Sequence, residues 1–301
     1  MNYKLKKIIL FPMNVLYRIN AIFETKVMFF LKNGYRLNIN NPVTFNEKLQ
    51  WIKFYDKNEK MPTCSDKYTV REYIKNCGCE EILNHLIWEG YEASEIPFDS
   101  LPNQFVIKVT HGSGFNILCK DKSKLIEVKV KKQLARWLKE KYVPCYGEWF
   151  YGIVKPRIII EEYLGNKDGV VPNDYKVYCF NGEPKVIQVH TGRFSNHRIM
   201  LYDLDWNTID NVKMKYSYDP QCILKKPQEL YKLIEYAKKI SQPFHHARVD
   251  FYIVEGKIYF GEITFTDGAG FDRITPYSFD AQLGNYMELP INVINKNRVP
   301  K

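Results

Sequence analysis

Residues 243–271, PFHHARVDFYIVEGKIYFGEITFTDGAGF, decide how the rest of the chain is read. Taken in twos, Ala247 to Val254 places Arg248, Asp250 and Tyr252 on one face and Val249, Phe251 and Ile253 on the other, the alternation of a half-buried strand. Glu255-Gly256-Lys257 is a turn signal, and Ile258 to Phe265 supplies a second strand with Ile258, Phe260, Glu262 and Thr264 expected on one face. A three-residue loop, with Gly256 taking the positive φ, pairs Asp250 with Glu262 and Arg248 with Thr264. A two-residue loop reverses every side chain after it and separates the carboxylates.

Carboxylates opposed across two strands repel by roughly 0.2–1 kcal/mol before any burial cost, so a positive group is expected between them. Arg248 alone can serve, as in an ordinary structural ion cluster. The alternative is Mg2+, which is held by one or two carboxylates together with substrate phosphates. The two differ in what Asp250→Asn does. Relief of repulsion at a metal site leaves the melting temperature of the ligand-free protein unchanged or raised, whereas breaking a buried pair with Arg248 costs about 3–5 kcal/mol.

With 301 residues, 45% of them apolar and 15% aromatic, the chain suits one large domain or two lobes with a substantial core. No run of eighteen apolar residues occurs, so no spanning helix is expected. Seven cysteines without an even-spaced framework point to free thiols in a reducing compartment, and Cys77-Gly-Cys79 lacks the second pair a zinc site needs. Net charge is +10, and residues 1–40 hold seven Lys and Arg against Glu24 alone. The same segment carries Leu5, Ile8, Leu16, Ile19, Phe23, Val27 and Phe30 at helical spacing, in amphipathic helices interrupted at Pro12. Such a pair packs on the body or lies on an anionic membrane surface. The absence of aromatic and basic interleaving argues against nucleic acid as a partner.

Further along, Thr44 with Glu47 three residues on predicts a capped helix over Phe45 to Lys57. Phe105 to Val109 is a short apolar strand with Lys108 inside it, running into Thr110-His111-Gly112-Ser113-Gly114. Glycines permit close backbone approach, and successive N–H groups of such a loop make an anion-binding concavity. Arg157 to Glu161 is another strand, followed by Glu162-Tyr163-Leu164, and Asn181-Gly182 is a hairpin turn between Asp174–Phe180 and Lys185–Val189. Asp203-Leu204-Asp205 follows a hydrophobic strand, as the metal-binding element of nucleotide-sugar glycosyltransferases does. The plainer reading is a polar turn with Trp206 packed beneath it.

Six stretches in order, NPVTFNEKLQW, SDKYTVREYI, FVIKVTHGSG, DYKVYCFNGEPK, ARVDFYIVEGKIYFGEITF and DGAGF, resemble the TupA-like ATP-grasp family, associated with teichuronopeptide and other surface-polysaccharide synthesis. The resemblance covers about residues 35–295 and implies an α+β ATP-grasp fold, two lobes gripping ATP, with a basic helical N-terminal extension. The division expected is 1–60 for that extension, 61–155 for the first lobe and 156–301 for the second. On this resemblance Lys108, Gly112, Ser113 and Gly114 hold the phosphates, while Glu161, Glu162 and Leu164 hold adenine and ribose, largely through backbone groups. Lys176, Arg248 and Arg193 are the candidate catalytic cations. Asp250 and Glu262 match the metal carboxylates, with Thr264 where many relatives have asparagine. The implied reaction is ATP- and Mg2+-dependent joining of a carboxylate to an amine or amino acid through an acyl phosphate. An acidic, uronic-acid-like carbohydrate is the expected substrate, in the cytoplasm or at the inner face of the membrane. The alternative is a glycosyltransferase using Asp203 and Asp205.

Overall fold

The computed structural model describes residues 9–112, 114–165, 171–192, 196–214, 216–217 and 222–291. Among the described residues the helices run, in chain order, α1 Phe11–Ile19, α2 Ala21–Asn33, α3 Phe45–Tyr55, α4 Lys60–Ser65, α5 Val70–Asn76, α6 Glu127–Leu138, α7 Leu230–Ser241 and α8 Tyr277–Asn285. The strands are β1 Leu86–Gly90, β2 Phe105–Val109, β3 Asn116–Cys119, β4 Ile158–Glu162, β5 Asp174–Phe180, β6 Glu183–Thr191, β7 Arg198–Tyr202, β8 Lys213–Met214, β9 Tyr216–Ser217, β10 His246–Val254, β11 Lys257–Thr264 and β12 Ile274–Thr275. They form antiparallel sheets in the orders β1-β4-β2-β3, β11-β10-β5-β6-β7 and β12-β8-β9. The architecture is the expected α+β class. Ser113, Arg193 and residues 1–8 lie outside the described residues.

The first sheet buries Phe105, Ile107, Val109, Ile158 and Ile160 against Val130 and Leu134 of α6. Strand β4 pairs with both β1 and β2, so residues 158–162 belong to the first sheet. In the five-stranded sheet, Val177, Val249 and Phe251 of one face join Leu230, Leu233, Ala237 and Ile240 of α7 in the main core. On the opposite face Phe45 of α3 packs edge-on against Tyr178, Phe180 and His246. Apolar cover is therefore supplied at the Phe180 end, and the polar residues of β5 and β10 come together at the other.

Helix α3 begins as its sequence dictates, with the Thr44 hydroxyl accepting from Glu47 N at 3.2 Å while the Glu47 carboxylate returns to Thr44 N at 3.1 Å. Its Leu49, Trp51 and Ile52 belong to the main core, and α4 runs through Met61-Pro62. A turn at Leu10 precedes α1, and Pro12 sits in the first turn of that helix, where its missing N–H costs nothing; a further break falls at Asn20, whose side chain caps α2 by accepting from Phe23 N at 2.9 Å. All seven cysteines are free thiols, six of them buried.

Candidate active site

The hairpin of β10 and β11 supplies the centre of the site by a route different from the expected one. Its loop is the two-residue Glu255-Gly256, both residues at positive φ (49° and 77°), with Val254 opposite Lys257. Continued without interruption, that register puts Glu262 on the core side. A bulge intervenes: Phe251 faces Phe260, Asp250 faces Glu262, and Gly261 is the extra residue. A Cβ on Gly261 would meet the Asp250 carbonyl oxygen at 3.0 Å, which is why glycine occupies the bulge. Ile258 and Phe260 consequently stay in the core, opposite Ile253 and Phe251, and do not share the face of Glu262 and Thr264. Asp250–Glu262 and Arg248–Thr264 are nevertheless cross-strand pairs.

On the other side of β10, Lys176 lies opposite Asp250, Tyr178 opposite Arg248 and Asp174 opposite Tyr252. The result is a closed network of charge. Arg248 donates from Nε and Nη2 to the two Asp250 oxygens at 2.8 and 2.9 Å, and from Nη2 to Thr264 Oγ1 at 3.1 Å. Its Nη1 contacts Asp267, whose other oxygen accepts from Tyr178 OH at 2.8 Å. Lys176 Nζ contacts Asp250 Oδ2 and lies 2.8 Å from Asp174 Oδ2. Burial alone would lower the Lys176 pKa, but Asp250, Asp174 and Glu262 together outweigh it and raise the value. Burial likewise opposes charge on Asp267, and Arg248, the Tyr178 hydrogen bond and Lys176 together overcome it, holding that carboxyl below its usual range.

The repulsion expected between Asp250 and Glu262 is thus offset by two cations rather than one. Glu262 is the open member. Its side chain is 40% exposed, with Lys67 Nζ at 3.5 Å and Arg248 Nη2 at 3.7 Å. Lys67 also donates to Gly112 O at 2.9 Å, so it ties the glycine loop after β2 to the hairpin. Within that loop Gly112 and Gly114 both take φ +78°, the left-handed conformation that glycine tolerates. Lys108 is paired with Glu161 Oε2 at 2.6 Å, and Arg71 holds the other Glu161 oxygen at 3.1 Å. Glu162 spends its backbone internally, its N–H on His85 O at 3.1 Å and its carbonyl on Asn84 Nδ2 at 2.8 Å.

Asp267, Lys67 and Glu148 received no role from the sequence. Asp267 begins the turn Asp267–Gly270, in which Gly268, Ala269 and Gly270 have φ of 54°, 56° and 68°. That run is held from α3: Lys53 Nζ donates to Ala269 O at 2.8 Å and Gln50 Nε2 to Gly270 O at 2.8 Å. Glu148 accepts from Tyr142 OH at 2.5 Å and from the Thr266 hydroxyl beside the turn. Glu148 and Tyr142 line a cleft of about 850 Å³, with His111 of the glycine loop, Trp149, Tyr151 and, from α1, Tyr17. Asp203, by contrast, ends the edge strand β7. It closes a local turn, accepting from Asp205 N at 3.0 Å and Asn207 N at 2.8 Å, while Trp206 stacks on Tyr202 at 4.1 Å. The polar-turn reading of that stretch holds.

The donor set suits a hard cation. Asp250, Glu262 and Thr264 offer oxygen ligands on one face, and Glu262 keeps oxygens out of close hydrogen bonds. Among the described residues no three His, Cys, Asp or Glu side chains form a metal cage by themselves. An ion here would complete its shell with water and phosphate oxygens.

The family model described as TupA-like ATPgrasp matches residues 47–288. No curated protein matches the sequence. Similar solved structures include D-alanine–D-alanine ligase from Bacillus anthracis complexed with ATP, at 15% identity and TM-score 0.45, covering 78% of this chain and 67% of that one. L-amino acid ligase from Bacillus licheniformis is 13% identical with TM-score 0.42, covering 69% of this chain and 42% of the other. Phosphoribosylamine–glycine ligase from Thermotoga maritima is 13% identical with TM-score 0.41, over 71% and 52% of the two chains.

Proposed function

The chain belongs to the TupA-like ATP-grasp family, whose model spans residues 47–288, and we propose that it is a ligase that joins a carboxylate to an amine at the expense of ATP, on the face shared by Asp250 and Glu262. The observation that carries this reading is the pairing of those carboxylates beside Lys176 and Arg248, with Lys67 linking them to the glycine loop. Lys108 and the N–H groups around Gly112 and Gly114 would hold the phosphates. With the Glu162 backbone already engaged, contacts to the base fall to Tyr163 and Leu164.

In the proposed reaction the γ-phosphoryl group passes to the substrate carboxylate and ADP leaves. The amine then attacks the acyl carbon, losing a proton, and inorganic phosphate departs. Mg2+ bound by Asp250, Glu262 and Thr264 would neutralise charge on the phosphates. Arg248 and Lys176 are positioned to stabilise oxygens that gain negative charge, Arg248 through a planar fork and Lys176 as a point charge. The cleft beside His111, walled by Tyr142, Trp149 and Tyr151, is the proposed place for the carboxylate and amine substrates. A net charge of +10 supports an acidic, uronic-acid-like carbohydrate as one of them, in surface-polysaccharide synthesis at the cytoplasmic face of the membrane.

Thermal melts with and without Mg-ATP test the site, alongside ADP release across a panel of uronic acids and amino acids. Mg-ATP should raise the melting temperature of the wild type and of Asp203→Asn. Asp250→Asn and Lys108→Ala should show little or no rise, and their ADP release should nearly vanish. Equal stabilisation of all four proteins by Mg-ATP overturns the assignment.

A further inference from the structure

Helix α1 is apolar on both sides, and only one side is covered. Leu10, Met13 and Tyr17 turn inward and pack with Met28, Phe29, Cys145 and Phe271. The opposite arc holds Phe11, Val15 and Ile19, spaced four residues apart along one face, at 66%, 41% and 76% exposure. Helix α2 repeats the arrangement. It buries Glu24, Met28 and Phe29 and exposes Phe23, Phe30 and Leu31. A helix on a globular surface normally turns a polar face to water, so six large apolar side chains on one exposed helical pair require a covering partner.

The charges around these side chains identify the partner. Arg18, Lys26, Lys32 and Arg36 are all exposed on this segment, and its one acid, Glu24, is buried. A second copy docking face to face would set cation against cation. A surface that is apolar within and anionic at its rim matches both features. We propose that the outer face of the α1–α2 pair docks on an anionic lipid bilayer, with Phe11, Val15, Ile19, Phe23, Phe30 and Leu31 entering the headgroup–acyl boundary and the four cations meeting lipid headgroups. No helix among the described residues is long and apolar enough to cross a membrane, so attachment is interfacial. Tyr17, on the inner side of α1, lines the 850 Å³ cleft, which sets the cleft about one helix diameter, roughly 10–12 Å, from the surface. The docking itself is independent of the ligase reading. That a substrate is presented at the membrane rests on it.

Flotation of the full chain with phosphatidylcholine vesicles, with and without phosphatidylserine and at low and high salt, tests the proposal. Wild type should float with the anionic vesicles at low salt and be released by high salt. Phe11→Ser/Ile19→Ser/Phe23→Ser should lose flotation, with an unchanged melting temperature because all three side chains are exposed. Removal of each cation in Arg18→Ala and Lys26→Ala should weaken anionic binding about fivefold. No flotation of wild type, or equal flotation of the triple variant, overturns the proposal. Loss in the triple variant of a concentration-dependent dimer, with no vesicle binding by either protein, assigns the face to a second copy instead and also overturns it. Mg-ATP stabilisation should be the same for wild type and the triple variant, so failure of docking leaves the ligase reading standing, and the converse holds.

Discussion

Asp250→Asn separates the energetic role of Asp250 from its proposed ligand role: with Arg248 and Lys176 both paired to Asp250, the ligand-free protein loses stability as an ion cluster does whether or not Asp250 also holds metal, and only the Mg-ATP shift reports the ligand role. The side chain is 2% exposed and takes two hydrogen bonds from Arg248, at 2.8 and 2.9 Å, besides the contact from Lys176. Both cations are themselves buried. An amide offers one acceptor oxygen and turns its own N–H groups toward a guanidinium or an ammonium, so at least one donor loses its partner. Breaking a buried ion pair from one side costs about 3–5 kcal/mol. The low end applies here, because Arg248 keeps Asp267 and Lys176 keeps Asp174. About 3 kcal/mol in a chain of this size corresponds to a fall of roughly 5 °C in melting temperature. Differential scanning calorimetry without nucleotide reads it directly, and a denaturant midpoint with unchanged slope confirms that the loss is in stability. A variant that melts at or above wild type would mean that repulsion from Glu262 dominates, refuting the view that Arg248 and Lys176 over-compensate the two carboxylates.

Three other outcomes are expected. Glu262→Gln, at a side chain 40% exposed with cations no closer than 3.5 Å, should change stability by less than about 1 kcal/mol yet abolish the Mg-ATP shift in a thermal melt. Gly261→Val places a Cβ 3.0 Å from the Asp250 carbonyl oxygen and should cost about 1–3 kcal/mol, measured by urea unfolding, with a smaller Mg-ATP shift because the bulge aims Glu262. Burial raises the Glu24 pKa from 4.5 to about 7, against the pull of Lys53. The folded state therefore binds this proton more tightly than the unfolded chain. Its contribution is intact below pH 4.5 and lost as pH rises through about 7. Glu24→Gln should flatten that fall, and parallel stability–pH curves for the two proteins would refute it.

Strand existence and pairing were legible because they depend on local alternation. The route to the Asp250–Glu262 pair was not, since two departures from it cancel: a loop one residue shorter than expected and a bulge that restores the missing residue. The signal for the second was present, because a glycine inside an apolar strand marks a bulge, but only the backbone fixes where the extra residue falls. Asp267 and Lys67 were quoted within DGAGF and SDKYTVREYI and still carried no role. Asp267 reaches Arg248 through a turn of three successive positive φ values held by Gln50 and Lys53, more than two hundred residues away. Lys67 acts by joining a loop of one sheet to a strand of another. No periodicity encodes contacts of that range.

Charge and amphipathic spacing mark residues 1–40 as a basic helical segment, and the buried polar residues show how that segment is tied to the rest of the chain. Lys53 lies in the interior with its ammonium on the carbonyls of Tyr146 and Ala269, and burial lowers its pKa to about 7 despite the nearby Glu148 and Glu24. Glu24 belongs to α2, Glu148 to the wall of the cleft, and Ala269 to the turn that carries Asp267. A cation of this kind is tolerated only where several elements supply acceptors to it. Its burial therefore requires α2, α3, the cleft wall and the Asp267 turn to assemble together, although they lie far apart in sequence. The exposed arc of α1 and α2 is then the outward side of helices whose inward side helps fix the turn that carries Asp267, which is how one segment can both pack on the body and present a face to a membrane.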